Sequence, residues 1–105
     1  MRGDIYRLRA NRSAEGHEQR GPRYAVVVQS DDLQLSTMLI APTSTSVIPT
    51  DFRPRIDMDG TATYVLIEQT AAINVETRLG DFAGRLSSAE LADVDRALSI
   101  VLGLY

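Results

Sequence analysis

Apolar positions along the chain fall into short runs separated by polar, turn-forming stretches, and only the last fifteen or so residues carry a helical period. Ile5 and Leu8 with Tyr6 between them predict a short first strand over residues 3–8. Residues 9–22 hold almost no apolar side chain and finish in Gly21-Pro22. They form a loop of roughly a dozen residues, a length uncommon in compact domains unless it serves a site. Tyr24-Ala25-Val26-Val27-Val28 is a continuous apolar run bounded by Pro22 and Ser30-Asp31-Asp32, the pattern of a central strand buried on both faces. Thr37-Met38-Leu39-Ile40-Ala41 is a second such run, expected to stop at Pro42 because proline lacks the N–H that a ladder uses. The hydroxyl cluster Thr43-Ser44-Thr45-Ser46 then falls at a sheet edge or in a loop.

Residues 53–58 alternate, with Ile56 and Met58 facing one way and Arg55 and Asp57 the other. Asp59-Gly60 makes a turn and Tyr64-Val65-Leu66-Ile67 returns, which predicts a hairpin. Ile73 and residues 79–86 predict one or two further short strands. Ser87-Ser88-Ala89-Glu90 has the form of a capping box with Ser87 as N-cap. From there Leu91, Val94, Leu98 and Val101 recur at three- and four-residue intervals until Gly103, the stripe of an amphipathic helix. Short strands followed by one terminal helix predict a mainly β, α+β fold: a single domain over residues 1–105, built as a small closed or half-open β-barrel covered by that helix.

Composition narrows the chemistry. A chain of 105 residues with 44% hydrophobic content has material for one core. Its longest apolar run is five residues, and Met1-Arg2-Gly3-Asp4 lacks the apolar stretch of a signal peptide, so the expectation is a soluble cytoplasmic protein with no membrane contact. There is no cysteine, and His17 is the single histidine. Disulfides and a thiol nucleophile are excluded, and neither a metal nor another cofactor is expected.

All eleven basic residues are arginine, each a planar fork suited to phosphate, although the bias of a GC-rich genome accounts for the missing lysine as readily. A net charge of −3 argues against a generic nucleic-acid coat protein. The charge is uneven, however. Residues 1–23 hold six arginines against Asp4, Glu15 and Glu18, a balance of +3, while residues 24–105 hold five against eleven acids, a balance of −6.

Three constellations can carry chemistry. In Gly16-His17-Glu18-Gln19-Arg20-Gly21-Pro22-Arg23, two glycines permit close backbone approach, His17 and Glu18 can accept protons, and Arg23 stands where loop becomes sheet and can aim its fork at a phosphate. A solvated loop with an ordinary strand-flanking arginine is the plainer reading. The hydroxyls of residues 43–46 can donate to phosphate or bases, or simply cap loop backbone. Glu68-Gln69 places a carboxylate and an amide where strand gives way to loop, which also suits a salt bridge or turn. Phosphate-cradling glycine motifs, a nucleophile elbow and metal-loop spacing are all missing from the sequence.

In chain order, Arg2-Gly3-Asp4-Ile5-Tyr6, then Gly16-His17-Glu18-Gln19 with Gly21 and Arg23 before an apolar strand, then Ala41-Pro42 with hydroxyls, then Glu68-Gln69 before Ile73, resemble the MazF/PemK/Kid family of toxin endoribonucleases. The resemblance spans nearly the whole chain, to Leu102-Gly103-Leu104. It implies an SH3-like barrel, a homodimer, a cognate MazE-like antitoxin and metal-independent cleavage of single-stranded RNA. In that reaction the ribose 2′-hydroxyl attacks the adjacent phosphorus and leaves 2′,3′-cyclic phosphate and 5′-hydroxyl ends.

Residue by residue, the resemblance makes Arg23 the catalytic phosphate clamp and puts Ser44 where relatives carry a catalytic threonine, with Thr45 the alternative if the register differs by one. Glu18 is a better candidate than His17 to accept the 2′-hydroxyl proton, and a mechanism run by arginine alone, with Arg23 also donating to the leaving oxygen, stays open. His17, Gln19, Arg20, Thr45, Glu68 and Gln69 become RNA contacts. Two departures stand out: Tyr24 follows the arginine where relatives have proline, and Ala71-Ala72 replaces an Arg-Thr pair. A lost bidentate base contact is worth ~1–3 kcal/mol, so the choice of RNA sequence is open. Two other readings keep the same barrel: a non-catalytic, CcdB-like gyrase-binding toxin, and an inactive relative that titrates antitoxin.

Overall fold

The computed structural model describes residues 1–10 and 23–105. Of the loop predicted over residues 9–22, residues 11–22, with His17, Glu18, Gln19 and Arg20, lie outside the described residues. Seven strands form one sheet in the order β4-β5-β3-β2-β1-β7, with β6 pairing β3 beside that path. They are β1 (Asp4–Leu8), β2 (Arg23–Val27), β3 (Thr37–Ser44), β4 (Arg55–Met58), β5 (Thr61–Val65), β6 (Ala71–Asn74) and β7 (Leu79–Arg85). A one-turn helix α1 (Val75–Arg78) joins β6 to β7, and the long helix α2 (Ser88–Leu102) ends the fold. Among the described residues β4 and β7 pair with no common neighbour, so the sheet is a half-open barrel.

β2 is the central strand its sequence predicts, lying antiparallel between β1 and β3. Its residues alternate between two apolar clusters. Val26, with Val28 just beyond the strand, joins Ile5, Ala41, Ile56, Val65 and the helix residues Val94 and Ala97, whereas Ala25 and Val27 join Ile40 and Ile73 on the other face. A strand buried on both sides has no polar face, and that is why the run reads as continuously apolar.

β3 differs from expectation. It runs through Pro42 to Ser44 rather than stopping at the proline. Ala25 lies opposite Pro42, while the Pro42 carbonyl accepts from Leu66 N–H at 2.8 Å on the other side. Both polar positions of a strand residue point to the same side. The missing N–H therefore falls where β3 exchanges its partner, β6 over Thr37 to Ile40 and β5 from Thr43 onward.

The hairpin β4–β5 forms as predicted, with Asp59 and Gly60 both at positive φ, 52° and 83°, as a two-residue turn between right-twisted strands requires. Its return strand is shorter than expected. Ile67 leaves the ladder and opens a 3-10 turn, Ile67–Gln69, because its apolar side chain is fully buried under α2 while its backbone bonds within the turn, Ile67 carbonyl accepting from Thr70 N–H at 3.1 Å. Nor was α1 anticipated. Asn74 caps it by accepting from Thr77 N–H at 3.2 Å.

α2 starts at the predicted capping box: Glu90 N–H donates to Ser87 Oγ at 3.1 Å and Ser87 N–H to Glu90 Oε1 at 2.8 Å. The other Glu90 oxygen accepts from Asp57 N–H at 2.9 Å, tying the helix start to the hairpin. Val94 and Ala97 are buried and Leu91 and Leu98 pack against the core. Val101, predicted for the same stripe, is exposed, along with Ile100, Leu102, Leu104 and Tyr105. The helix outruns the sheet beneath it, so its last turn has nothing to cover.

Candidate functional site

Arg23 is the first residue of β2 and shares its face with Ala25 and Val27, the face turned away from α2. The β2–β3 register pairs Ala25 with Pro42; carried two residues further it sets Arg23 opposite Ser44. The pairing is held between them by Thr43 Oγ1, which donates to the Tyr24 carbonyl at 2.9 Å. Directly opposed residues put their side chains on one face with Cβ atoms about 4.5–5.5 Å apart. Continued in this way, the register aligns an arginine and a hydroxyl that stand 21 positions apart in sequence.

The hydroxyls of residues 43–46 divide by role. Thr43 is buried and spends its proton on the Tyr24 carbonyl. Ser44, half-buried at the end of β3, accepts from Ser46 N–H at 3.2 Å, which fixes its oxygen and leaves its own proton to donate. Thr45 lies past the strand end and is exposed.

Glu68 and Gln69 sit exposed in the 3-10 turn after β5. Glu68 is engaged: Arg53 Nε donates to both its oxygens, at 3.0 and 3.2 Å. The same guanidinium donates through Nη1 to the Ile48 carbonyl at 3.3 Å and lies 5.5 Å from the Phe52 ring centroid. Arg53 therefore fastens the β3–β4 loop to the turn carrying Glu68, a role the sequence did not reveal because nothing in the spacing of residues 53 and 68 marks them as partners.

The row continues beyond Ser44. Ser44 pairs with Tyr64 of β5, and Tyr64 pairs with Arg55 of β4. On the other side Leu8 pairs with Arg23. One transverse line of side chains, Leu8, Arg23, Ser44, Tyr64 and Arg55, thus crosses five strands on a single face. Among the described residues no group of three or more metal-ligating side chains occurs, and no helix is long and apolar enough to cross a membrane.

Arg23 and Ser44 both lie at strand ends of the half-open barrel, on the sheet face opposite α2. Residues 1–102 match the family described as PemK-like, MazF-like toxin of type II toxin-antitoxin system. The chain belongs to that family. A provisionally named toxin of Mycobacterium tuberculosis, Rv3098A, is 38% identical over 104 residues, 99% of this chain and 98% of that protein.

Solved structures share the fold at lower identity. A mycobacterial endoribonuclease in complex with its cognate antitoxin superposes with a TM-score of 0.79 at 19% identity, covering 100% of this chain and 96% of its own. MazF from Deinococcus radiodurans gives 0.77 at 23% identity, with 97% and 94% covered. This MazF-like toxin has the mainly β half-barrel and C-terminal helix of those neighbours.

Proposed function

We propose that this MazF-like toxin is a metal-independent endoribonuclease that cuts single-stranded RNA at Arg23 and Ser44. The observation that supports the reading is the β2–β3 register, Ala25 opposite Pro42, which continued by two residues sets Arg23 and Ser44 against one another on the sheet face turned away from α2. Transesterification within RNA needs no protein nucleophile. The 2′-oxygen forms a bond to phosphorus, the bond to the 5′-oxygen breaks, one proton leaves the 2′-hydroxyl and one reaches the departing oxygen. The protein contributes orientation and cationic hydrogen bonds to charge that grows on the phosphorane oxygens.

Arg23 supplies the fork that clamps those oxygens and gives a proton to the departing 5′-oxygen, regaining one from solvent, while Ser44 donates a hydrogen bond to a phosphorane oxygen. Glu18 takes the proton of the 2′-hydroxyl, and His17, Gln19, Arg20, Thr45 and Gln69 contact the flanking RNA. Glu68 acts through the Arg53 pair, holding the β3–β4 loop beside the strand. An acidic MazE-like antitoxin segment covers the Arg23 face, folding on contact. A second copy covers the exposed apolar end of α2 to form the homodimer.

The test is incubation of the purified toxin with a long single-stranded RNA in EDTA. Fragments ending in 2′,3′-cyclic phosphate, absent with Arg23→Ala, are expected. Intact RNA, or equal cutting by Arg23→Ala, sinks the reading. RNA left intact together with inhibited DNA supercoiling points to the gyrase-directed alternative. Antitoxin binding without toxicity on expression points to an inactive relative, which the replacement of an Arg-Thr pair by Ala71-Ala72 would explain.

A further inference from the structure

We infer that Arg55 and Tyr64 prolong the Arg23–Ser44 site across the hairpin as a further nucleotide position, with Arg55 holding a phosphate of the same strand more than one nucleotide from the one at Arg23 and Tyr64 offering its ring to a base; this rests on the ribonuclease reading above. The inference comes from register. Ser44 opposes Tyr64 and Tyr64 opposes Arg55, so all three side chains leave the sheet on the face that carries Arg23.

Three strand spacings separate Arg23 from Arg55, about 14 Å, several times the ~3.4 Å rise per nucleotide of a stacked strand. A chain held at Arg23 therefore reaches Arg55 only by running across the strands over more than one nucleotide. Arg55 is exposed on the edge strand β4, and among the described residues it forms no ion pair. Asp57, two residues on, is the acid on the same face, and its backbone N–H is held by Glu90. Tyr64 is half-buried, which fixes the ring while leaving part of it open.

A purely structural Arg55–Tyr64 pair would steady the hairpin but would not alter the salt dependence of RNA binding. The probe is a fluorescent, mixed-sequence single-stranded RNA, 2′-O-methylated throughout so that no attack occurs, titrated by anisotropy between 50 and 200 mM salt. Arg55→Ala is expected to weaken binding and to lower the slope of log K against log salt by about 0.7, one phosphate contact on a single strand. Tyr64→Leu is expected to lose roughly 5- to 150-fold in affinity with the slope unchanged, and Tyr64→Phe to bind like wild type.

Variants whose affinity stays within twofold of wild type and whose slope is unchanged overturn the inference, and if wild type still cuts unmodified RNA the ribonuclease reading survives. Wild type that binds, with the slope lowered in Arg55→Ala, but cuts nothing supports the row and removes the ribonuclease reading. Wild type that binds no RNA overturns both. Unchanged thermal melting of each variant keeps loss of fold apart from loss of contact.

Discussion

The two faces of the sheet are made from alternate residues of the same strands and are governed by different physics. Under α2, Val26, Ala41, Ile56, Val65, Val94 and Ala97 are all at most 1% exposed, and the only demand on them is to exclude water and fill space. On the other face the apolar cluster of Ala25, Val27, Ile40 and Ile73 covers only part of the surface, and the row from Arg23 to Arg55 continues it with polar, partly solvated groups. One residue of register separates the two. Slipping β2 against β3 by one position would exchange Arg23 for Tyr24 on the open face and put an arginine into the core.

Substitutions break this contrast in opposite ways. Ile56→Ala removes a side chain that is 1% exposed and should cost ~2–5 kcal/mol of unfolding free energy by denaturant titration. Cleavage per folded molecule should stay near wild type, because Ile56 faces away from Arg23. Arg23→Ala should do the reverse. Rates of RNA cleavage should fall about 10²–10³-fold, the usual cost of removing one donor to a charged transition state. Stability should change by no more than ~0.5 kcal/mol, as for an ordinary surface site.

Ser87→Ala sharpens the comparison from the covered side. It deletes half of the capping box and should cost about 0.5–2 kcal/mol, read as a lower melting temperature, without touching the open face.

The smallest effect is expected at Asp4, on the strand next to β2. Burial pushes its carboxyl up, but a hydrogen bond from Arg85 Nε at 2.7 Å and the Met1 ammonium at 3.1 Å outweigh it and hold the group below its usual range. A carboxyl depressed in the folded state contributes stability that is present above the unfolded value near 3.8 and lost as pH falls through the lower folded one. Arg85 is 57% exposed, so solvent screens the pair and the gain is modest. Asp4→Asn should flatten the acid limb of a stability-against-pH curve and leave its neutral plateau slightly lower. An acid limb as steep as wild type would assign acid sensitivity to other carboxylates.

Local rules made much of the architecture legible. The capping box at Ser87, the Asp59-Gly60 turn and the unbroken apolar run of β2 each depend on neighbours within a few residues, and each appears as read. Where expectation and structure part, a distant partner decided the outcome. Pro42 stays in its strand because the missing N–H faces the point where β3 exchanges β6 for β5. Ile67 turns out of the ladder because α2 buries it. Val101 continues the helical stripe in sequence, but the sheet has ended beneath it.

The candidate site divides the same way. Motif order in the sequence was enough to single out Arg23, Ser44 and the Glu68-Gln69 pair, since the resemblance rests on residue types and spacing. The sequence also determined that Arg55 and Ile56 face opposite ways, because alternation is a property of the extended backbone. Only the tertiary structure decided that Arg23, Ser44, Tyr64 and Arg55 share one line, and that Glu68 answers to Arg53. Cross-strand register is set by non-local packing and hydrogen bonding, and no spacing within a single strand encodes it.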